Sequence, residues 1–385
     1  RDVEPLIRAA TLEVSNSGVA VASETKHAVC CMMIARSSWI RLALAGAAFA
    51  GCAWRGVGPA SAQVAPAGTL SNVTFSDYSP LSSNAELARR MLSPLKNAQL
   101  EQMLAHGARL REQPIDLAQE TFALYVPARA PANGYGLIVF VPPWDSARLP
   151  DGWGAVLDQY GIVFVTAAQS GNDQSVLARR EPLALLAEAN VAARYPVDPA
   201  RIYVGGFSGG SRVALRLALG YPDVFRGAIL DAGSDPIGTA ATPLPPRDLF
   251  QRFQESTHLV YLAGDQDTAA IAEDAASMHA MRDWCVFGVD ERTTMGSGHD
   301  AIGATALSRA LDLLAAPVAP DEARLASCRT AIETELNAKL AAVQSLIAAG
   351  KREDASRLLA DIDARYGGLA APRSTTLAGA LAQAK

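Results

Sequence analysis

Short apolar segments alternate with longer amphipathic segments between residues 121 and 315. Several of the short segments are apolar at every position, which is typical of strands buried on both faces of a parallel sheet. The pattern predicts strands at residues 121–126, 137–141, 162–166, 202–205, 228–230, 259–263 and 286–290. It predicts helices at residues 153–160, 182–194, 211–219, 269–284 and 304–315. This alternation predicts a three-layer α/β sandwich with a mostly parallel sheet over residues 121–316.

The segment before the alternating region predicts irregular chain followed by helices. Residues 63–83 are rich in Ser, Pro and Gly, as linkers are. Asn84 and Asn97 each precede an apolar stripe and are predicted to cap helices that extend to about Met91 and Leu110. Residues 63–120 are therefore interpreted as a linker with N-terminal helices.

After residue 319 the composition shifts to helix-forming residues with apolar positions at helical spacing. Leu336 and Leu340 belong to one apolar stripe, Leu359 and Ile362 belong to a second, and Gly350 lies between them. The pattern predicts a helical hairpin over residues 319–385 that packs on the α/β domain as a cap. Docking of a partner protein is the alternative role for these helices.

The first 62 residues have the pattern of a targeting segment. A basic region containing Arg36 and Arg41 precedes an apolar run over residues 42–50, which is too short to span a bilayer. Small residues offer a cleavage site after Ala50 or after Ala62, and a buried N-terminal helix is the weaker alternative. The sequence thus predicts a leader and signal peptide over residues 1–62, disordered or removed, and export of the remainder to the periplasm or the medium.

Composition and charge exclude several classes of function. Of the 385 residues, 50% are hydrophobic and 19% are charged, which suits a large core and is too polar for multiple membrane spans. The formal net charge of −5 argues against a nucleic-acid-binding protein, which normally has a basic face. Neither a zinc-binding spacing of Cys and His nor a phosphate-binding glycine loop occurs.

The clearest chemical signal is the segment Gly206-Phe207-Ser208-Gly209-Gly210, which matches the pattern Gly-x-Ser-x-Gly. A predicted strand precedes this segment and a predicted helix follows it, so Ser208 is expected on a sharp turn where glycines permit close backbone approach. A serine hydroxyl is a weak nucleophile at neutral pH and requires an adjacent base, which a carboxylate orients. A glycine-rich turn without chemistry is the alternative interpretation.

His299 is the histidine best placed to act as that base. It follows Gly296-Ser297-Gly298 on a flexible loop after the last predicted strand. His258 begins a predicted strand and His279 lies within a predicted helix, so a structural role is the simpler interpretation of both. The same pattern of strand followed by catalytic loop predicts Ser208 and His299 at one edge of the sheet.

The orienting acid is expected between the serine and the histidine in chain order. The segment Gly264-Asp265-Gln266-Asp267 follows the predicted strand at residues 259–263 and offers two carboxylates, Asp265 and Asp267. Asp300 is a poor candidate because a residue adjacent to His299 in sequence seldom folds back onto its ring.

Stabilisation of a developing oxyanion requires two backbone N–H donors. Gly209 is the expected first donor, because it follows Ser208 at the start of a helix. Trp144 is the expected second donor, because the preceding Pro142 and Pro143 have no N–H. The indole of Trp144 is expected to line the acyl pocket, and a purely structural role is its alternative.

Residues 121–315 resemble the secreted polyhydroxybutyrate depolymerase and feruloyl esterase group, which belongs to the α/β-hydrolase superfamily of serine esterases. The resemblance is carried by the segments 206–210, 221–225, 264–267 and 298–299, together with residues 195–201. It implies hydrolysis of carboxylic esters through an acyl-enzyme, with no metal or organic cofactor, Ser208 as nucleophile and His299 as general base. It also favours Asp267 as the acid, because the family pattern is Gly, two residues, Asp; Asp265 is the fallback.

Two other functions remain open at this stage. A peptidase or amidase of the same fold would use the same catalytic residues, and a binding protein with a hydrolase fold would use none. A serine, an acid and a histidine in the expected order argue against the second. Residues 169–173 and 242–246 are expected to rim a pocket for a small or polymeric ester, but they identify neither its acyl nor its alcohol group. The sequence does not predict the oligomeric state.

The cysteines carry two further expectations. Cys52 follows Phe49-Ala50-Gly51, a pattern similar to a lipoprotein box, so Cys52 is a possible lipid-anchor site. Cys285 and Cys328 remain in any mature form, and thiols in an oxidising compartment generally pair. We therefore expect a disulfide that joins the C-terminal helices to the α/β domain. Two separate buried thiols are the alternative.

Overall fold

The computed structural model describes residues 67–316 and 321–383, so the predicted signal peptide and Cys52 lie outside the described residues. An eight-stranded sheet has the order β1-β2-β4-β3-β5-β6-β7-β8. Its strands are β1 Gly68–Val73, β2 Phe122–Val126, β3 Tyr135–Val141, β4 Ile162–Ala167, β5 Val197–Phe207, β6 Gly227–Asp231, β7 His258–Gly264 and β8 Val289–Thr294. Strand β2 is antiparallel to both β1 and β4, and the pairs from β4 through β8 are parallel. This confirms the predicted mostly parallel sheet.

Helices cover both faces of the sheet and form the flanking segments. They are α1 Asn84–Met91, α2 Pro94–Ala105, α3 Trp153–Tyr160, α4 Glu181–Arg194, α5 Gly209–Gly220, α6 Arg247–Ser256, α7 Thr268–Asp283, α8 Ala304–Ala315, α9 Glu322–Ala348, α10 Arg352–Tyr366 and α11 Arg373–Gln383. In the described part of the chain, none of these helices has both the length and the apolarity needed to cross a membrane.

Strand β3 shows why the domain has three layers. All seven of its residues are buried. Leu137 and Val139 belong to one hydrophobic cluster, whereas Ile138 and Phe140 belong to a second. Because successive side chains of a strand point to opposite faces, each face of the sheet packs on its own layer of helices.

The N-terminal segment differs from the sequence prediction. Residues 63–83 are predicted as a linker, whereas residues 68–73 form edge strand β1, with exposed and half-buried positions in a polar sequence. Ser83, not Asn84, accepts the first helical N–H bond of α1. Helix α2 begins at Pro94 and ends at Ala105 rather than extending from Asn97 to Leu110. A proline suits the first helical position because its missing N–H has no helical partner there.

The predicted C-terminal hairpin is present as α9 and α10. Leu336 and Leu340 of α9 are buried together with Leu359 and Ile362 of α10, and all four belong to the core cluster that also contains one face of the sheet. A third helix, α11, follows the hairpin and is absent from the prediction, because its sequence is dominated by small and polar residues.

A disulfide joins these helices to the α/β domain. Cys285, just after α7, is bonded to Cys328 of α9, with the Cα atoms 5.9 Å apart. Strand β8 lies later than the predicted 286–290, because Cys285 has a φ of 61° and Val286 packs into the core at a turn. Strand β8 is a polar edge strand. The apolar residues just before it pack into the core without being part of the strand, so the apolar pattern places the strand too early.

Candidate active site

The segment around Ser208 forms a sharp turn at the carboxyl edge of the sheet, between β5 and α5. Ser208 has a φ of 55° and a ψ of −123°, a strained conformation for a residue with a side chain. Its amide donates a 2.7 Å hydrogen bond to the carbonyl of Asp231 at the end of β6. The turn is packed tightly: a Cβ added at Gly210 would lie 1.9 Å from the carbonyl oxygen of Val141.

The structure brings Ser208, His299 and Asp267 together in a chain of hydrogen bonds. The Ser208 Oγ is 2.9 Å from the His299 Nε2, and the His299 Nδ1 is 2.5 Å from the Asp267 Oδ2. The other carboxylate oxygen of Asp267 accepts the amide of Ala270 at the start of α7, 3.1 Å away. The side chain of Asp267 is 8% exposed and that of His299 is 51% exposed, so the acid is enclosed while the base remains open to solvent.

Two opposing effects act on the pKa of Asp267. Burial raises this pKa, whereas the hydrogen bonds from His299 and Ala270, together with the charge of His299, lower it, and the net result lies below the ordinary value. Asp267 is therefore ionised at neutral pH. An ionised carboxylate at Nδ1 keeps the proton on that nitrogen, which leaves Nε2 free to accept the hydrogen of Ser208.

Asp265, the fallback acid, has another set of contacts. Its Oδ1 accepts the backbone amides of Gly296 and Ser297, at 2.8 and 3.2 Å. Those two residues lie just before His299 in the loop 295–303, which we call the His299 loop. Asp265 thus binds the backbone of the loop, whereas Asp267 binds the imidazole.

The other described histidines lie away from this site. His258, at the opposite end of β7, is 2.8 Å from the carboxylate of Asp290. His279 is exposed on α7, and the ring of His106 contacts the carbonyl of Gln102. Neither His258 nor His279 contacts Ser208, and a structural role for both stays a prediction.

The two expected oxyanion donors lie on segments that flank Ser208. Gly209 is the first residue of α5, where backbone N–H groups have no partner within the helix. Trp144 follows β3 on a loop that is bonded to the segment 169–172: Asn172 N donates to Pro143 O at 3.0 Å, and Gln169 N donates to Asp145 O at 2.7 Å. The backbone of Trp144 is thereby held beside the turn that carries Ser208.

The residue Trp144 is half-buried, and its indole packs against aromatic neighbours. Its ring centroid lies 6.4 Å from that of Phe140 and 6.3 Å from that of Phe207, and the guanidinium of Arg148 lies 4.5 Å above it. Phe207 in turn lies 5.0 Å from the ring of His299. Trp144 thus backs Phe207, which backs His299, and its place in an acyl pocket stays a prediction.

Asn172, which is expected on the rim of the pocket, lies directly against Gly209. A Cβ added at Gly209 would lie 2.1 Å from the Asn172 Oδ1, so the Asn172 amide covers one side of Gly209. Asp231 and Trp153 also contact the site, and the sequence analysis does not single out either. The sequence feature that could have identified Asp231 is its position, because a polar residue at the carboxyl end of a buried parallel strand often belongs to a functional site.

Among the described residues, there is no group of three or more His, Cys, Asp or Glu side chains that could hold a metal ion.

Comparisons by sequence find neither a matching protein-family model nor a matching curated protein. Solved structures with a similar fold include an acetyl xylan esterase from Aspergillus awamori, at 12% identity over 51% of this chain and 94% of that chain, with a TM-score of 0.40. They also include a poly(3-hydroxybutyrate) depolymerase from Bordetella parapertussis, at 20% identity over 54% and 88% of the two chains, with a TM-score of 0.38.

A Bacteroides ovatus protein named as a dipeptidyl aminopeptidase IV is matched at 18% identity over 50% of this chain, with a TM-score of 0.39. This chain covers 33% of the length of that protein. At these TM-scores the assignment of an α/β-hydrolase fold rests on the order, direction and connections of the strands described above.

Proposed function

We propose that this protein is a serine hydrolase that cleaves carboxylic esters through an acyl-enzyme. The observation that carries the proposal is the pair of hydrogen bonds at one edge of the sheet, 2.9 Å from Ser208 to His299 and 2.5 Å from His299 to Asp267. A nucleophile bonded to a base that an enclosed carboxylate orients is the arrangement that acyl transfer requires.

In the first half of the proposed reaction, the Ser208 Oγ attacks the carbonyl carbon of the ester while its proton moves to the His299 Nε2. The carbonyl oxygen becomes an oxyanion, which accepts hydrogen bonds from the amides of Gly209 and Trp144. When the tetrahedral intermediate collapses, the bond to the alcohol oxygen breaks and His299 returns the proton to that oxygen. The products are the free alcohol and an acyl ester on Ser208.

In the second half, water takes the place of the alcohol. His299 accepts a proton from the water as the water oxygen attacks the acyl carbon, and then returns the proton to the Ser208 Oγ as the acid leaves. Asp267 stays ionised throughout and stabilises the imidazolium form of His299 in each half. The low pKa of Asp267 supports this role.

Preference for esters over amides rests on the motifs shared with secreted esterases. The proposal assigns catalysis to residues 121–316, treats the helices after residue 319 as an appendage and places the protein outside the cytoplasm. The Cys285–Cys328 bond supports export, because disulfides persist mainly in oxidising compartments.

A substrate panel tests the proposal. Purified protein is assayed with p-nitrophenyl esters of increasing chain length, with feruloyl esters and with a panel of peptide amides, beside Ser208→Ala as the matched control. The expected result is hydrolysis of at least one ester class that Ser208→Ala lacks. Cleavage of the peptides with no cleavage of esters would assign the site to a peptidase, and activity retained by Ser208→Ala would exclude this mechanism.

A further inference from the structure

The His299 loop is less enclosed than the turn that carries Ser208, although its backbone also packs on the core: a Cβ added at Gly264 would lie 2.2 Å from the Ser297 carbonyl oxygen. It contains Gly296, Gly298 and Gly303, and a Cβ added at Gly296 or Gly303 would meet no atom within 4 Å. The side chain of His299 is 51% exposed. A loop of this kind is mobile unless hydrogen bonds hold its backbone, yet a general base must stay within about 0.5 Å of its productive position.

On the far side of His299, the backbone of Ile302 is held at both of its polar atoms. Its N–H donates to the Asp231 Oδ2 at 2.9 Å, and its carbonyl accepts the indole N–H of Trp153 at 2.9 Å. Both contacts are buried, and Ile302 itself is 6% exposed. Ile302 therefore marks the point at which the flexible loop becomes a fixed part of the core.

Asp231 also contacts the other half of the site. Its carbonyl accepts the amide of Ser208 at 2.7 Å, and it pairs with Phe207 across strands β5 and β6. Asp231 is 2% exposed. One rigid residue at the end of β6 is thus bonded through its backbone to the nucleophile and through its carboxyl group to the loop of the base.

We propose that Asp231 is a positioning residue that sets the distance between Ser208 and His299. It acts through the backbone of Ile302 and touches neither the substrate nor the imidazole. This inference rests on the proposed function, because it assigns a part to Asp231 in the same site. The essential feature is an oxygen that accepts the Ile302 amide, so asparagine at this position should retain the effect and alanine should abolish it.

The burial of Asp231 agrees with this role. Burial raises the pKa of Asp231 well above its usual range, with the charges of Asp274 and Asp267 adding to the rise and the Ile302 amide opposing it. Burial thus favours the protonated carboxyl group, which is close to the amide of asparagine in shape and charge. Rescue by Asp231→Asn is therefore a fair test.

The experiment compares Asp231→Ala, Asp231→Asn and the parent at a temperature well below the unfolding midpoint of each. The readouts are kcat and KM for a p-nitrophenyl ester, and the rate at which a fluorophosphonate labels Ser208. For Asp231→Ala we expect kcat and the labelling rate to fall by about 10- to 100-fold with KM within about twofold, since a displacement of 1 Å at a reacting group costs about that much. For Asp231→Asn we expect values within about fivefold of the parent.

Asp363→Ala is the matched control for lost stability. Asp363 is also a buried carboxyl group that accepts a backbone amide, that of Leu95, but it lies between α10 and α2, away from the site. We expect Asp363→Ala to lower the unfolding midpoint and leave kcat unchanged. Parental kcat in Asp231→Ala, or equal losses in Asp231→Ala and Asp231→Asn, would overturn the positioning role.

A spectroscopic readout separates this inference from the proposed function. The proton between His299 Nδ1 and Asp267 should give a low-field resonance in the NMR spectrum of the parent, whether or not the protein hydrolyses the ester chosen. We expect Asp231→Asn to keep this resonance and Asp231→Ala to lose or broaden it while remaining folded. An unchanged resonance in Asp231→Ala would contradict the inference, whereas a parent that resists labelling and hydrolyses no ester would contradict the proposed function instead.

Discussion

The Ser208 Oγ lies 2.9 Å from the His299 Nε2, yet the two segments that carry these residues are held in place by different contacts. Ser208 lies in a strained conformation between a buried strand and a helix, where neighbouring backbone leaves no room for another atom. His299 lies on an exposed, glycine-containing loop whose backbone is held by the carboxyl groups of Asp265 and Asp231 and by the Gln266 amide, which donates to the Ser297 carbonyl. Ser208 is thus held mainly by close packing, with one backbone bond to Asp231, whereas His299 is held mainly by the hydrogen bonds of its loop.

The difference has a physical reason. Backbone strain of about 1–3 kcal/mol persists only where the surrounding structure determines the conformation, so the strained residue must be in a packed region. In the proposed reaction the imidazole turns slightly as it moves a proton between serine, leaving group and water. A loop held at its two ends allows that movement without letting the ring leave the site.

The largest expected effect concerns the contact between the loop and the buried acid. Asp267→Asn should lower kcat by about 10³- to 10⁴-fold with little change in KM, because an amide no longer selects the tautomer that leaves Nε2 free. Asp265→Asn is the control, since its remaining oxygen can still accept the amides of Gly296 and Ser297. Steady-state kinetics of both variants decide the assignment; a severe loss in Asp265→Asn with a mild one in Asp267→Asn would reverse it.

The disulfide tests whether the loop depends on support from the C-terminal helices. Replacing Cys285 and Cys328 by serine should lower the free energy of unfolding by up to about 4 kcal/mol, because the unfolded chain loses a crosslink that closes a long loop. The kcat at 25 °C should not change, because strand β8 separates Cys285 from the His299 loop along the chain and the loop has its own hydrogen bonds. Denaturant unfolding and kinetics measure the two effects. A fall in kcat in the same variant would show that the C-terminal helices also support the His299 loop.

A pair of glycine substitutions addresses the comparison directly. Gly210→Ala should destabilise the fold by roughly 1–3 kcal/mol, because the new Cβ would overlap the carbonyl of Val141. Gly298→Ala is the matched change in the loop, where the nearest atom, the Asp300 Oδ2, would be 3.9 Å away. We expect Gly298→Ala to change the unfolding midpoint little. Thermal unfolding that gives the reverse order would refute the contrast between packed turn and open loop.

The smallest expected effect concerns the near end of the loop. Asp265→Ala removes the acceptor of two amides just before His299 and should lower kcat by about tenfold, less than a full 1 Å displacement costs, because Asp231 still holds the far end. The double variant with Asp231→Ala should lose more than the product of the two single losses. Simple multiplicativity in this cycle would mean that the two carboxyl groups act independently.

The same contrast explains what the sequence could predict. The central strands are recognisable because they are buried on both faces and therefore apolar throughout, and Ser208 is recognisable because its turn requires glycines in a fixed pattern. Edge strand β1 and helix α11 are missed because half-exposed elements made of small and polar residues have no such pattern.

The support of the His299 loop could not be predicted for a different reason. Asp231 and Ile302 are 71 positions apart in the sequence, and Trp153 is 149 positions from Ile302. No local pattern relates residues that meet only when separate strands align at one edge of the sheet. The preference for Asp267 over Asp265 rests on family resemblance, and in the structure the Asp265 carboxylate contacts backbone amides whereas that of Asp267 contacts the imidazole.

The central claim is that Ser208 is a nucleophile activated by His299. The most direct measurement is mass spectrometry of the intact protein and its peptides after exposure to a fluorophosphonate, for the parent, Ser208→Ala and His299→Ala. The account predicts one adduct on the parent, located on the peptide that contains Ser208, none on Ser208→Ala and labelling slowed by orders of magnitude on His299→Ala. An adduct on another residue, or labelling of folded His299→Ala at the parental rate, would contradict it.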